Sequence, residues 1–136
     1  MNKKILITSS LLVVILVALS SVLYFSKGNY IYSTETGGNI SAGNYDENDK
    51  VLESTIEVND EKLNQLFVSS FIDLNQGDLK YELYAPNGAL VYETTVTHKE
   101  GFKNTVELEP FLGEWVAKYY INETTNGSYT LRFEGK

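Results

Sequence analysis

A chain of 136 residues with 11 basic and 18 acidic side chains has room for one domain at most and carries a net charge of −7. All 18 acidic residues but only 9 of the basic ones follow residue 26, net −9 over that stretch, which sets the chain against phosphate backbones and argues against nucleic-acid binding. The absence of Cys excludes disulfides, thiolate catalysis, thiolate zinc sites and a lipid-modified N-terminal cysteine, and a single His excludes any site that needs two.

Residues 5–25, Ile5 to Phe25, hold no charged side chain, follow Lys3 and Lys4 and precede Lys27. As a helix this run spans about 31 Å, close to the roughly 30 Å hydrocarbon core. We read residues 1–26 as a signal-anchor, one hydrophobic helix holding the remainder at the cell membrane in a single pass. Two lysines before the run against one after it place the N-terminus in the cytoplasm and the C-terminal domain outside. The rival reading is a cleaved signal peptide with Ala18-Leu19-Ser20 as its small-residue site, which leaves the domain secreted. Against cleavage there, the apolar run resumes as Val22-Leu23-Tyr24-Phe25.

Between residues 27 and 50, half of the 24 positions are Gly, Asn, Ser or Thr, a composition that cannot bury a core and reads as a flexible polar linker. Tyr30-Ile31-Tyr32 and Ile40 to Tyr45 stand apart from it, and one of them is expected to add an edge strand. Asp46-Glu47-Asn48-Asp49 offers hard oxygen ligands, but it lacks the Gly turn and distal bidentate carboxylate of a calcium loop. A solvated loop, with no metal, is the expectation.

From Val51 onward the apolar residues recur with a period of two. Leu52, Ser54, Ile56 and Val58 share one face. Leu66, Val68, Ser70, Ile72 and Leu74 share the next, with Phe67 and Phe71 opposite, which predicts a strand covered on both sides. Leu79, Tyr81 and Leu83 alternate with Lys80, Glu82 and Tyr84. Pro86-Asn87-Gly88 is a tight turn, because Pro presets φ near −65° and Asn or Gly accepts the positive φ that follows. Leu90, Tyr92, Thr94 and Val96 lead back. A short strand at Val106 and Leu108 ends at Glu109-Pro110, where Pro has no N–H to donate. Trp115, Ala117, Tyr119 and Ile121, then Tyr129, Leu131 and Phe133, complete seven strands. The fold class expected is all-β: a single antiparallel β-sandwich, jelly-roll-like, over residues 51–136.

The succession Asp78-Leu79-Lys80-Tyr81-Glu82-Leu83-Tyr84, Pro86-Asn87-Gly88, Gly113-Glu114-Trp115 and Gly127-Ser128-Tyr129-Thr130-Leu131 resembles the jelly-roll β-sandwiches of the bacterial pre-peptidase C-terminal and proprotein-convertase P-domain type. The resemblance covers about residues 51–134. It implies a noncatalytic appendage that assists folding or surface binding, and it carries over no catalytic residue.

The chemistry left by composition is thin. His98 sits among Lys99, Glu100 and Gly101 with no local nucleophile or oxyanion motif, so a solvated loop residue is expected. Fourteen Asp and Glu in residues 51–136 are mostly at outward or turn positions, the pattern of an acidic face, and no phosphate-binding glycine loop is present. We expect no enzyme and no cofactor. Trp115, Tyr81, Tyr92, Tyr119 and Tyr129 lie in phase with Leu, Ile and Val and are assigned to the core. Tyr84 and Tyr120 lie in phase with Lys80, Glu82 and Lys118 and are expected to face outward. These four residues, Tyr84, Tyr120, Lys80 and Lys118, form the candidate ligand-binding patch: the rings suit a glycan, the lysines an anionic partner. The function expected is a noncatalytic binding or accessory module outside the membrane that contacts a protein or a glycan. A structural subunit or assembly factor of a membrane or envelope complex is the alternative.

Overall fold

The structure, a computed structural model, describes residues 30–136. The expected N-terminal helix, its span at 5–25 and the cleavage site lie outside the described residues. Among the described residues no helix is long and apolar enough to cross a membrane.

Eight strands follow one another: β1 (Tyr32–Ile40), β2 (Val51–Val58), β3 (Leu66–Gln76), β4 (Asp78–Tyr84), β5 (Leu90–Thr97), β6 (Phe102–Leu108), β7 (Gly113–Tyr120) and β8 (Asn126–Gly135). They form two antiparallel four-stranded sheets, β1-β8-β3-β6 and β2-β7-β4-β5. The pairing has a simple origin. β4 pairs with β5 around the Pro86 turn, then β3 with β6, β2 with β7 and β1 with β8, as in one long hairpin. Rolling that hairpin so that β3 also pairs with β8 and β4 with β7 yields two sheets with the strand order of a jelly roll.

Beyond the seven strands expected over 51–136 there is the added edge strand, and it runs from Tyr32 to Ile40, the span between the two segments expected to supply it. β1 occupies nine of the residues that composition assigned to the linker, and its backbone pairs with β8 from Tyr32 opposite Gly135 to Ile40 opposite Gly127. Glycines that weaken a strand on propensity grounds are required here by close approach: a Cβ on Gly37 would lie 2.5 Å from the carbonyl oxygen of Tyr129. Of its side chains only Ile40 is buried and Tyr32 packs part-buried against the core, so β1 lacks the apolar alternation that marks the others. The flexible stalk expected over residues 27–50 therefore does not extend through 32–40.

The inner faces meet in one core. Trp115, Tyr81, Tyr119, Phe133, Leu66, Ile72, Leu79, Leu83 and Leu131 are fully buried, as their phase predicts. Tyr92 and Tyr129 pack against that core without being enclosed by it. Trp115 meets Phe133 edge-on with centroids 5.7 Å apart, and Tyr119 lies between Tyr81 at 5.3 Å and Tyr129 at 4.2 Å. Phe67 and Phe71 are half-buried on the opposite face of β3, where, among the described residues, Lys136 lies over Phe67 and Lys103 and Arg132 lie over Phe71. Leu90 does not point inward with Tyr92. The register shifts between Leu83 and Tyr84, Val91 packs against the core instead, and Leu90 is left 46 % exposed opposite Tyr84.

The two ends of the sandwich differ. At one end, called proximal here, lie Ile31, the turns 59–65, 85–89 and 109–112, and Lys136, with Ile31, Phe111 and Leu112 exposed. The distal end gathers residues 41–50, Gly77, 98–101 and 121–125, the connections β1–β2, β3–β4, β5–β6 and β7–β8.

Candidate functional site

The outward residues of the sheet β2-β7-β4-β5 stand in cross-strand rows set by its register. Tyr120 is opposite Lys80, which is opposite Thr95; Glu53 is opposite Lys118, which is opposite Glu82, which is opposite Glu93; Val116 is opposite Tyr84, which is opposite Leu90. Period-two phase thus brings all four predicted patch residues onto one face. Tyr84 and Tyr120 are half-buried rather than open, because long side chains lie against them. Lys118 Nζ stands 5.5 Å from the centroid of the Tyr84 ring, and Lys80 Nζ 5.9 Å from that of Tyr120.

Glu82 organises the face. It is only 6 % exposed although it points away from the core, since its row neighbours cover it. Lys80 Nζ lies 2.6 Å from Glu82 Oε1 and Tyr84 Oη donates to Oε2 at 2.5 Å. These two donors, Lys80 foremost, hold the carboxyl at about 2, well below its ordinary 4.5. In return the bond to Glu82 pushes the Tyr84 phenol up to about 12. Lys80 also meets Glu93 at 3.3 Å, and Lys118 meets Glu53 at 3.4 Å. The lysines thus offset the acidic surface by direct pairing with its carboxylates. Three carboxylates and two ammoniums share this part of the face, each ammonium with at least one carboxylate partner.

At the distal end of the same face the structure shows a cleft of about 570 Å³ lined by Tyr45, Asp78, His98, Lys99, Asn122 and Thr124 among others. Its frame is a hydrogen-bonded turn. Asn122 Nδ2 donates to Asp78 Oδ1 at 2.8 Å, and Asn122 Oδ1 accepts from Thr124 N at 2.9 Å and Thr124 Oγ1 at 2.7 Å. Asn122 N donates to Thr125 Oγ1 at 2.9 Å, and the buried Thr125 hydroxyl donates to the Asp78 carbonyl at 2.7 Å. Gly77, with φ +75°, lets the chain turn tightly beneath this frame, where a Cβ would lie 2.7 Å from the Thr124 carbonyl oxygen. His98 is exposed, as expected, but not detached: its Nδ1–H donates to the Gly77 carbonyl at 3.1 Å, leaving Nε2 as an acceptor in the neutral ring.

Sequence reasoning did not find this cleft. Its signal was the in-phase position of Asp78 with Lys80 and Glu82 and the Asn122-Glu123-Thr124-Thr125 run, whose side chains are of the type that caps turns. The acidic loop at 46–49 closes on itself, Asp46 Oδ1 accepting from the backbone N and from Nδ2 of Asn48. Among the described residues no group of three His, Asp or Glu is placed to hold a metal ion.

No protein-family model and no curated protein matches the sequence. Among solved structures the chain is similar to the pre-peptidase C-terminal domain of collagenase from Bacillus anthracis, at 14 % identity and a TM-score of 0.48, over 74 % of this chain and 88 % of that one. It is also similar to a carbohydrate-binding module specific for non-crystalline cellulose, at 13 % identity and a TM-score of 0.41, over 76 % of this chain and 72 % of that one. A xylan-binding domain from Paenibacillus barcinonensis follows at 14 % identity and a TM-score of 0.32, over 76 % and 85 %. The first of these is of the kind the sequence motifs resemble, and at such identities the likeness concerns the β-sandwich and leaves function to the residues described above.

Proposed function

We propose that this protein is a noncatalytic binding module that the 5–25 segment holds outside the membrane, and that the outer face of the β2-β7-β4-β5 sheet binds a neutral glycan. The observation that carries this reading is the closed charge lattice around Glu82. With Lys80 and Lys118 both paired to carboxylates, the described residues of the face favour a neutral ligand over an anionic one, while its rings remain at the surface. The Tyr84–Glu82 bond fixes a ring at no further entropic cost on binding, which is what a stacking platform for a sugar needs. Paired carboxylates and ammoniums beside the rings supply acceptors and donors for hydroxyl groups.

The test is retention of the full detergent-solubilised chain on immobilised neutral polysaccharides and on cell-envelope fractions. Truncation of Tyr84 and Tyr120 to Ala is expected to weaken retention at least tenfold, about 1.4 kcal/mol. Retention that is unchanged, or that is lost to moderate salt in the unaltered chain, would overturn the glycan reading.

A second reading, a subunit of an envelope complex, is favoured by the proximal end, where Ile31 at 60 %, Phe111 at 48 % and Leu112 at 48 % are exposed. Crosslinking from Phe111 to a single stoichiometric partner would support it.

A further inference from the structure

We infer that the distal cleft is the terminal subsite of the glycan-binding face, receiving the chain end of a neutral oligosaccharide whose body lies along β4. The inference rests on the glycan reading above and adds to it a direction, an end and a set of residues. Asp78, Lys80, Glu82 and Tyr84 alternate on one face of β4, so the cleft and the tyrosine platform are two ends of one row. At about 3.3 Å per residue that row is roughly 20 Å long, room for several sugar units.

At its Asp78 end the row meets a wall of connections. Four connections converge beyond Asp78, bringing Tyr45, Gly77, His98 and Asn122 to the cleft from four different parts of the chain. An extended polymer lying along β4 meets this wall instead of running past it. The wall is also rigid, because Asn122, Thr124, Thr125 and Asp78 are tied into one hydrogen-bonded unit.

The cleft's chemistry selects a terminal sugar by elimination. Asp78 and Glu123 outnumber Lys99 among the lining residues, which disfavours an anion, and no group of three His, Asp or Glu among the described residues is placed to hold a cation. The lining mixes polar and apolar surface in near-equal measure, which a wholly apolar ligand would leave half unmatched. What remains is a mixture of acceptors (Asp78 and His98 Nε2), a donor (Lys99) and two ring faces (Tyr45 and His98). The end residue of a glycan matches that mixture best, since it carries the hydroxyl that an internal residue commits to its linkage.

The experiment is calorimetric titration of the full detergent-solubilised chain with β-1,4-linked gluco-, xylo- and manno-oligosaccharides from the monosaccharide to the hexasaccharide, followed by competition with the corresponding long polymers. The expected result is binding that tightens with length, short oligosaccharides that outcompete an equal mass of polymer because they offer more ends, and at least tenfold weakening by Tyr45→Ala with His98→Ala. Asp78→Asn, which keeps the acceptor for Asn122 and so the turn, is expected to weaken binding as well, with an unchanged melting temperature. Loss of binding in Tyr84→Ala but not in the cleft variants would overturn the terminal subsite and leave the proposed glycan face standing, as would polymer that competes equally by mass. Failure of every probe to bind the unaltered chain would overturn both.

Discussion

Ser70 of β3 and Tyr81 of β4 share a hydrogen bond of 2.6 Å between their hydroxyl oxygens across the buried interior, one strand in each sheet. It is a polar link between the two sheets, and burial there pushes the Tyr81 phenol up to about 12. Removing one partner orphans the other in the buried interior. Ser70→Ala is therefore expected to cost about 1–3 kcal/mol. Tyr81→Phe combined with it should cost less than the two separate losses added together. Denaturant titration of the single and double variants measures the coupling, and strict additivity would show that the bond contributes nothing to holding the sheets in register.

Trp115 anchors the opposite part of the core. It is fully buried against Phe133, and its Nε1–H donates to the Phe111 carbonyl at 3.0 Å, tying the β6–β7 connection to the interior. Trp115→Ala is expected to destabilise the protein by about 3–5 kcal/mol through the cavity it leaves. Calorimetric or denaturant unfolding checks the value, and a loss near zero would contradict the packing described.

Glu82 makes stability depend on acid in a defined window. Its carboxyl sits at about 2 in the fold, against an ordinary 4.5 in the unfolded chain. A depressed carboxyl contributes stability that is complete above the unfolded value and lost as pH falls through the folded one. The advantage of the unaltered chain over Glu82→Gln is thus expected to be constant above about pH 4.5 and to shrink as pH falls towards 2. Unfolding curves of both forms across this range supply the measurement. A gap independent of pH would mean that Lys80 does not hold the carboxylate.

The sequence expectation for residues 5–25 leads to a cellular prediction. The full-length chain is expected in the membrane fraction at its intact mass, with the β-sandwich accessible to protease from outside. A soluble species beginning near Ser21 would reject the anchor and place the module among secreted proteins.

Much of this molecule is written in alternation. The inward residues of β4 and β7, Leu79, Tyr81 and Leu83 and Trp115, Ala117 and Tyr119, were legible because a half-buried strand must repeat every second residue. The same rule put Tyr84, Tyr120, Lys80 and Lys118 together outside. Where alternation is broken or absent, local reasoning had little to read beyond the apolar ends of β1, Tyr32 and Ile40. β1 carries Gly37, Gly38 and mostly polar side chains, and it is a strand only because β8 offers it a partner more than 80 residues away. Leu90 faces outward because of a register shift that no property of Leu90 encodes. Pairing decided the rest: that Lys80 and Lys118 are bound to Glu82, Glu93 and Glu53, and that Tyr45, Asp78, His98 and Asn122 meet in one cleft. Such groups are brought together by long-range strand order. Sequence alone determines which faces are apolar, and the tertiary structure decides which polar groups on the other face find one another.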